Sequence, residues 1–316
     1  GYYKWKSHAT CAYEALNAEI APLIMEAYIE DPTKGYRRLY GELSEEDRAR
    51  SSEAVVYHIC RYLHVKSTIK YQKQGCTIPG KKPVQIKEYK VKRNFRPEGP
   101  LKLLCTDVSV FKYIESGEVK KLYTSAHIDP FSNFVTSHAE SDSNALELVE
   151  EDLTGTLMAF GAPDMINSDQ GFQYTSPEYC SALEDLGIAQ SMSNKGKCND
   201  NGPIEGLWGI IKREDFYGRP LPASREECIR RINESYDHYN NERRQKALQW
   251  HTPAQVMLDC WRNYDRPTRK QVWDKKRQQQ LYPIKESEPD IPTGVMPGQV
   301  TNHQLCWWFD FSFALQ

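Results

Sequence analysis

The sequence predicts an α/β chain whose middle is a mixed sheet in the order βββαβαβα, set between an N-terminal helical domain and a C-terminal helical extension. Three observations predict it. At Leu101 the pattern changes from helical spacing to runs of apolar and β-branched residues, after Ser143 short strands alternate with capped helices, and beyond Gly218 helical spacing returns. With 316 residues, 39% hydrophobic and 27% charged, the chain has length for two or three domains and the balance of a water-soluble globular protein. No apolar run approaches the ~18 residues of a membrane helix, which excludes an integral helical membrane protein.

Residues 10–30 carry Ala15, Leu16, Ala18, Ile20, Leu23, Ile24 and Ala27 near helical spacing and stop at Asp31-Pro32. Residues 35–43 suit a second, short helix. After the charged stretch 44–50, a third begins at Ser51 or Ser52 with Val55, Val56, Ile59 and Leu63 inward. Residues 1–65 are therefore expected to form a helical, helix-turn-helix-like domain. Residues 66–100 lose periodicity, are rich in lysine and contain Pro79, Pro83, Pro97 and Pro100, so they read as a basic linker.

The segment 101–218 follows as the catalytic candidate. Residues 101–111, 120–128 and 133–137 read as three antiparallel strands. Next come a helix over 143–160, a strand at Met165–Ser168, a helix begun by Ser176-Pro177, a strand near 188–191 and a helix opened by Pro203. This order is the ribonuclease H-like arrangement, an analogy of fold only. In the extension, residues 219–282, Ser224-Arg225-Glu226-Glu227 forms a capping box before Ile229, Ile232, Tyr236 and Tyr239, and Thr252-Pro253 opens another helix. Residues 283–316 form a proline-punctuated tail without an assigned role.

The net charge of −2 conceals a division: +6 over residues 1–100, −11 over 101–215 and +3 over 216–316. Residues 61–100 hold eleven lysines and arginines against Glu88 and Glu98, a density suited to phosphates, whereas the middle third concentrates carboxylates, as a divalent-metal site requires. Nine scattered cysteines without a C-x-x-C pair point to a reducing compartment. His58, His64, Cys60 and Cys76 lack the two-pair spacing of a zinc finger.

Three carboxylates are the catalytic candidates. Asp107 interrupts the apolar strand 103–108, where an aspartate is costly to desolvate unless paired or bound to a cation. Asp169, after the fourth strand, also suits a turn, and Glu205, two residues after Pro203, also suits the positive end of a helix. On a helical wheel Glu205, Trp208 and Lys212 share a face opposite Leu207, Ile210 and Ile211, and Lys212 lies roughly 10 Å along the axis from Glu205. Carboxylates so grouped suit two Mg²⁺ or Mn²⁺ ions for an in-line phosphoryl displacement. Lys195 and Lys197 lie on a basic loop beside the site.

Thr106-Asp107-Val108, Ser168-Asp169-Gln170-Gly171 with Gln173-Tyr174-Thr175-Ser176, Ser191-Met192-Ser193 and Asp200-Asn201-Gly202-Pro203-Ile204-Glu205-Gly206-Leu207-Trp208-Gly209 resemble the DDE core of bacterial insertion-sequence transposases. The likeness is to the second-reading-frame protein of the insertion-sequence-three family, whose core is similar to retroviral integrase. Segments 1–5, 35–43 and Tyr239-Asn240-Asn241-Glu242-Arg243 resemble that family too, so the match covers about residues 1–260. The resemblance implies a Mg²⁺-dependent DNA transposase that nicks terminal inverted repeats and transfers the 3′-OH strand. Asp107, Asp169 and Glu205 fall on its catalytic, metal-holding triad and Lys212 on a basic position that holds DNA ends. DNA contacts are expected at Lys212, Lys195, Lys197, Arg37, Arg38 and Trp208. It further implies a homo-oligomer at synapsis, an upstream-frame protein or fused N-terminal region as partner, and a cytoplasmic, nucleoid-associated setting. The chain departs from the family at Asn167, where histidine is common, and at Gly206, where serine is common. A hydrolytic nuclease of the same fold and a truncated, regulatory DNA-binding protein are the alternatives.

Overall fold

The computed structural model describes residues 12–69 and 84–262, which fall into two compact units: 12–69 with 244–251, and 84–243 with 252–262. The tail 283–316 and the ends of the expected linker and extension lie outside the described residues.

In the first unit, α1 (Ala12–Glu30), α2 (Tyr36–Glu42), α3 (Glu45–Arg50) and α4 (Glu53–Tyr62) bury Ile20, Ile24, Leu39, Leu43, Val56 and Ile59 together. The helix α3 occupies the charged stretch that the sequence left between helices. Ser44 caps it, accepting from the Asp47 N–H at 3.1 Å, with Glu45, Glu46 and Asp47 at its positive end and Arg48 and Arg50 at its negative end. Its six residues bury no apolar face, so hydrophobic periodicity could not reveal it. Residues 244–251 join this unit through Trp250, which stands edge-on to Tyr40 at 5.6 Å. Gly41 lets it approach: a Cβ there would lie 2.7 Å from the Trp250 ring.

The second unit is built on one five-stranded sheet in the order β3-β2-β1-β4-β5. Its strands are β1 (Leu104–Glu115), β2 (Glu118–Asp129), β3 (Phe134–Ser141), β4 (Met165–Ser168) and β5 (Ala189–Met192). β1, β2 and β3 are antiparallel, while β4 and β5 run parallel to β1, the ribonuclease H-like topology the element order predicted. On one face, α5 (Leu146–Phe160), α6 (Pro177–Asp185) and α9 (Pro253–Arg262) cover Leu104, Ile166 and Met192. On the other, α7 (Gly202–Ile211) and α8 (Arg225–Asn241) cover Cys105, Phe111, Leu122 and Val135. Ser176 caps α6 as predicted, with Pro177 in its first turn.

Both sheet edges have backbone partners. Residues 84–96, assigned to the basic linker, pack along β5: Lys90 N–H donates to Ser191 Oγ at 3.0 Å and Gln85 N–H to the Thr175 carbonyl at 3.0 Å. Tyr89, Val91 and Phe95 turn into the core while Lys90 and Lys92 stay exposed, so alternation within a lysine-rich segment hides a packed strand-like arm. At β3, the Asn240 amide bonds both ways to Val135, accepting from its N–H at 2.9 Å and donating to its carbonyl at 3.0 Å.

Asp129 closes the β2–β3 turn, accepting from the Ser132 hydroxyl at 2.7 Å and from the Phe131 and Ser132 N–H groups. Burial pushes its carboxyl up to about 6, against the pull of those donors. A folded value above the unfolded one stabilises fully below the unfolded value near 3.8, and the contribution is lost as pH rises through about 6. Asp129→Asn should therefore gain about 1–2 kcal/mol relative to the unmodified chain between pH 5 and pH 7.5, read by urea unfolding at both values. An unchanged difference would contradict it.

Candidate active site

Asp107 stands on the central strand, and the parallel register pairs Cys105 with Asn167. Two residues further along each strand lie Asp107 and Asp169, so the chain directions bring both carboxylates to one level on neighbouring segments, whose spacing is ~4.8 Å. Asp169 turns its Oδ1 onto the Gly171 N–H at 2.7 Å. A Cβ on Gly171 would lie 2.9 Å from that oxygen and 2.8 Å from Gln173 Oε1, so the tight turn requires glycine here.

A buried amide relay aligns α7 with the strands. Asn167 Nδ2 donates to Asn201 Oδ1 at 3.0 Å and to the Asp200 carbonyl at 3.1 Å, and Asn201 Nδ2 donates to the Thr106 carbonyl at 2.8 Å. Asn167 Oδ1 accepts from Ser191 Oγ at 2.8 Å, tying in β5. Asn167, Ser191 and Thr106 are fully buried. The relay fixes the start of the helix that carries Glu205 beside the residue preceding Asp107. The sequence reading noted Asn167 only as a departure from a family pattern; a lone amide in a buried four-residue strand was the signal for its structural part.

Asp107 is half-buried, whereas Asp169 and Glu205 are exposed. Burial pushes the Asp107 carboxyl up to about 8, and the charges of Asp169 and Glu205 add to it, while the Val108 N–H and the Trp208 indole pull the other way. Desolvation raises Asp169 too, against the Gly171 N–H. The three carboxylates thus feel one another across an open site. Among the described residues no three carboxylate, histidine or cysteine side chains come close enough to make a ready-formed metal cage. The donors nonetheless suit Mg²⁺, a hard ion that takes one or two carboxylates, keeps waters and completes its shell with substrate phosphates. A cation would also relieve the repulsion that raises Asp107.

The remaining predicted residues divide. Trp208 is not a DNA-facing side chain: it is 6% exposed, and its indole N–H donates to Asp107 Oδ2 at 3.2 Å. The helix turns this residue inward because Phe111 and Tyr236 receive its ring edge-on. Lys212 opens a π-helical turn, Lys212–Phe216, and is half-buried, its ammonium 5.4 Å from the Phe111 ring centre. Burial lowers its pKa, opposed by the Asp107 charge. Lys195 and Lys197 are exposed on a loop anchored by Asn194, whose Nδ2 donates to the buried Asp200 carboxylate at 2.8 Å. Asp200 also pairs with Arg93 of the arm at 2.6 Å, a partnership the sequence did not reveal. In the first unit Arg37 is exposed beside Tyr36. Arg38 is not an open DNA contact, being mostly buried and paired with Asp31 at 3.1 Å, where it holds the α1–α2 turn.

Comparison with known proteins follows this geometry. Residues 97–198 match a family model described as integrase core domain, and residues 186–253 match a second model of the same description. The chain is 30% identical to InsK, the transposase assigned to insertion sequence element IS150 of Escherichia coli (strain K12), over 75% of this chain and 82% of that protein. It is 31% identical to a transposase-like protein of Haemophilus influenzae, over 63% of this chain and 89% of that one. Among solved structures it is similar to the HTLV-2 integrase catalytic core domain in complex with magnesium, at 21% identity and a TM-score of 0.40, over 51% of this chain and 99% of that one.

Replacing Asn167 by alanine strands the Asn201 amide oxygen and the Ser191 hydroxyl in the interior, and should cost about 2–4 kcal/mol in urea unfolding. A loss under about 0.5 kcal/mol would show that the relay does not hold these elements together.

Proposed function

Since the chain belongs to the insertion-sequence transposases that carry an integrase core, we propose that it nicks the ends of a DNA element and joins the freed 3′-OH to another phosphodiester, in a divalent-metal-dependent reaction. The observation that supports it is the meeting of Asp107 and Asp169 at one level of adjacent parallel segments, with Glu205 near enough for its charge to raise Asp107.

Asp107, Asp169 and Glu205 are the residues that would hold the metal. When bound, such ions activate the attacking oxygen and stabilise the leaving one in an in-line displacement. The chain's own residues do the rest. The open setting of Asp169 and Glu205 admits a phosphodiester, and Asp107 forms the less accessible floor. Lys212, behind Asp107, adds a fixed positive charge to a site dominated by carboxylates. Lys195 and Lys197 on one side, and Lys90 and Lys92 of the arm on the other strand edge, present exposed cations for the backbone of the DNA. Homo-oligomeric assembly on paired DNA ends, and a partnership with an upstream-frame region, belong to the same proposal.

The test is a strand-transfer assay on labelled DNA bearing the element's terminal repeat, with Mg²⁺, with EDTA and with Glu205→Gln. Metal-dependent joining should fall about a hundredfold or more in the variant, with folding and DNA affinity retained. Full joining by Glu205→Gln would remove Glu205 from the triad. Cleavage without joined product would mark a hydrolytic nuclease instead.

A further inference from the structure

Trp208 is the one buried donor aimed at a candidate metal ligand. Its indole can only donate, and its N–H has the Asp107 carboxylate as partner at 3.2 Å while the ring is sealed from solvent. Packing alone does not call for tryptophan here: the ring rests edge-on against Phe111 at 6.4 Å and Tyr236 at 6.3 Å, contacts a phenylalanine could also make. The N–H is what the indole adds.

The oxygen it engages is Oδ2, and the Val108 N–H also bonds the carboxylate. The side chain is thereby prevented from rotating about its Cβ–Cγ bond, and its outward lone pairs keep one direction. Phe111 ties the arrangement together, since the same ring that packs on Trp208 also carries the Lys212 ammonium. Glu205, Trp208 and Lys212 thus supply, from one helix face and the turn that continues it, a facing carboxylate, a donor to Asp107 and a cation behind it.

We propose that Trp208 is a positioning residue for the catalytic metal site: its indole N–H clamps one oxygen of Asp107 so that the carboxylate meets a divalent cation in a preset orientation. The inference rests on the reading of Asp107 as a metal ligand. Groups that hold ligands in this way set metal affinity, and their loss costs roughly 10–100-fold. Trp208→Phe keeps the ring and removes the donor.

The experiment compares the unmodified chain, Trp208→Phe and Asp107→Asn by Mn²⁺ titration calorimetry, by thermal unfolding with and without Mn²⁺, and by the Mn²⁺ dependence of strand joining. Trp208→Phe should melt within a few degrees of the unmodified chain when metal-free, bind Mn²⁺ about tenfold or more weakly, and regain most of its joining rate at saturating Mn²⁺. A structural role alone would lower the melting temperature and leave the metal dependence where it was. Unchanged Mn²⁺ affinity in Trp208→Phe, with affinity lost in Asp107→Asn, overturns the role of Trp208 and spares that of Asp107. Unchanged affinity in Asp107→Asn, or no saturable Mn²⁺ binding by the unmodified chain, overturns both.

Discussion

The buried side chain of Asn167 is the constraint on which the geometry of the site depends. An amide in the interior must satisfy a carbonyl oxygen and two N–H groups, or forfeit the cost of stripping them of water. Here the partners come from Ser191 on β5, Asn201 at the head of α7 and the Asp200 carbonyl, and Asn201 passes the tie on to β1. Because hydrogen bonds are directional, this relay sets the position of α7 along the strands more sharply than apolar packing does. Apolar contacts hold α7 against the sheet; the amides decide where along it Glu205 stands.

Around that alignment the protein gathers negative charge that it does not neutralise with its own side chains. Asp107 is raised by burial and by its acidic neighbours, and the donors available to it, the Val108 N–H and Trp208, offset only part of this. Lys212 counters from behind, but lies over an aromatic ring instead of closing an ion pair. The outer side is left to whatever cation and phosphate the reaction brings. This contrasts with Asp200, equally close to α7, which is satisfied by Arg93 and Asn194 and held below the usual carboxylate range, first by Asn194. Two carboxylates seven residues apart from one another in kind of environment thereby serve structure in one case and chemistry in the proposed other.

Much of this was legible in the sequence where the causes are local. Strand runs, the Ser176-Pro177 start and the order of elements follow from backbone preference and apolar spacing, and an aspartate inside an apolar strand announced itself at Asp107. What was not legible depends on distant partners. A wheel diagram put Trp208 on the polar face with Glu205, yet the deciding contacts are with Phe111, Tyr236 and Asp107, in other elements. The arm looked like a linker because its lysines mask Tyr89 and Val91, whose burial needs β5 beside them. Trp250 reads as part of a C-terminal extension until Gly41 offers it a seat.

The two covered edges of the sheet carry a consequence for how copies of the chain can meet. An exposed strand edge is a template for another strand, and it drives indiscriminate polymerisation as readily as ordered association. Here the arm occupies backbone and hydroxyl groups along β5, and Asn240 bonds Val135 on β3 as a short length of strand would. Neighbouring molecules therefore find little free backbone at these two places. A chain able to crowd onto DNA in several copies can do so through side-chain surfaces without its sheets fusing into fibres.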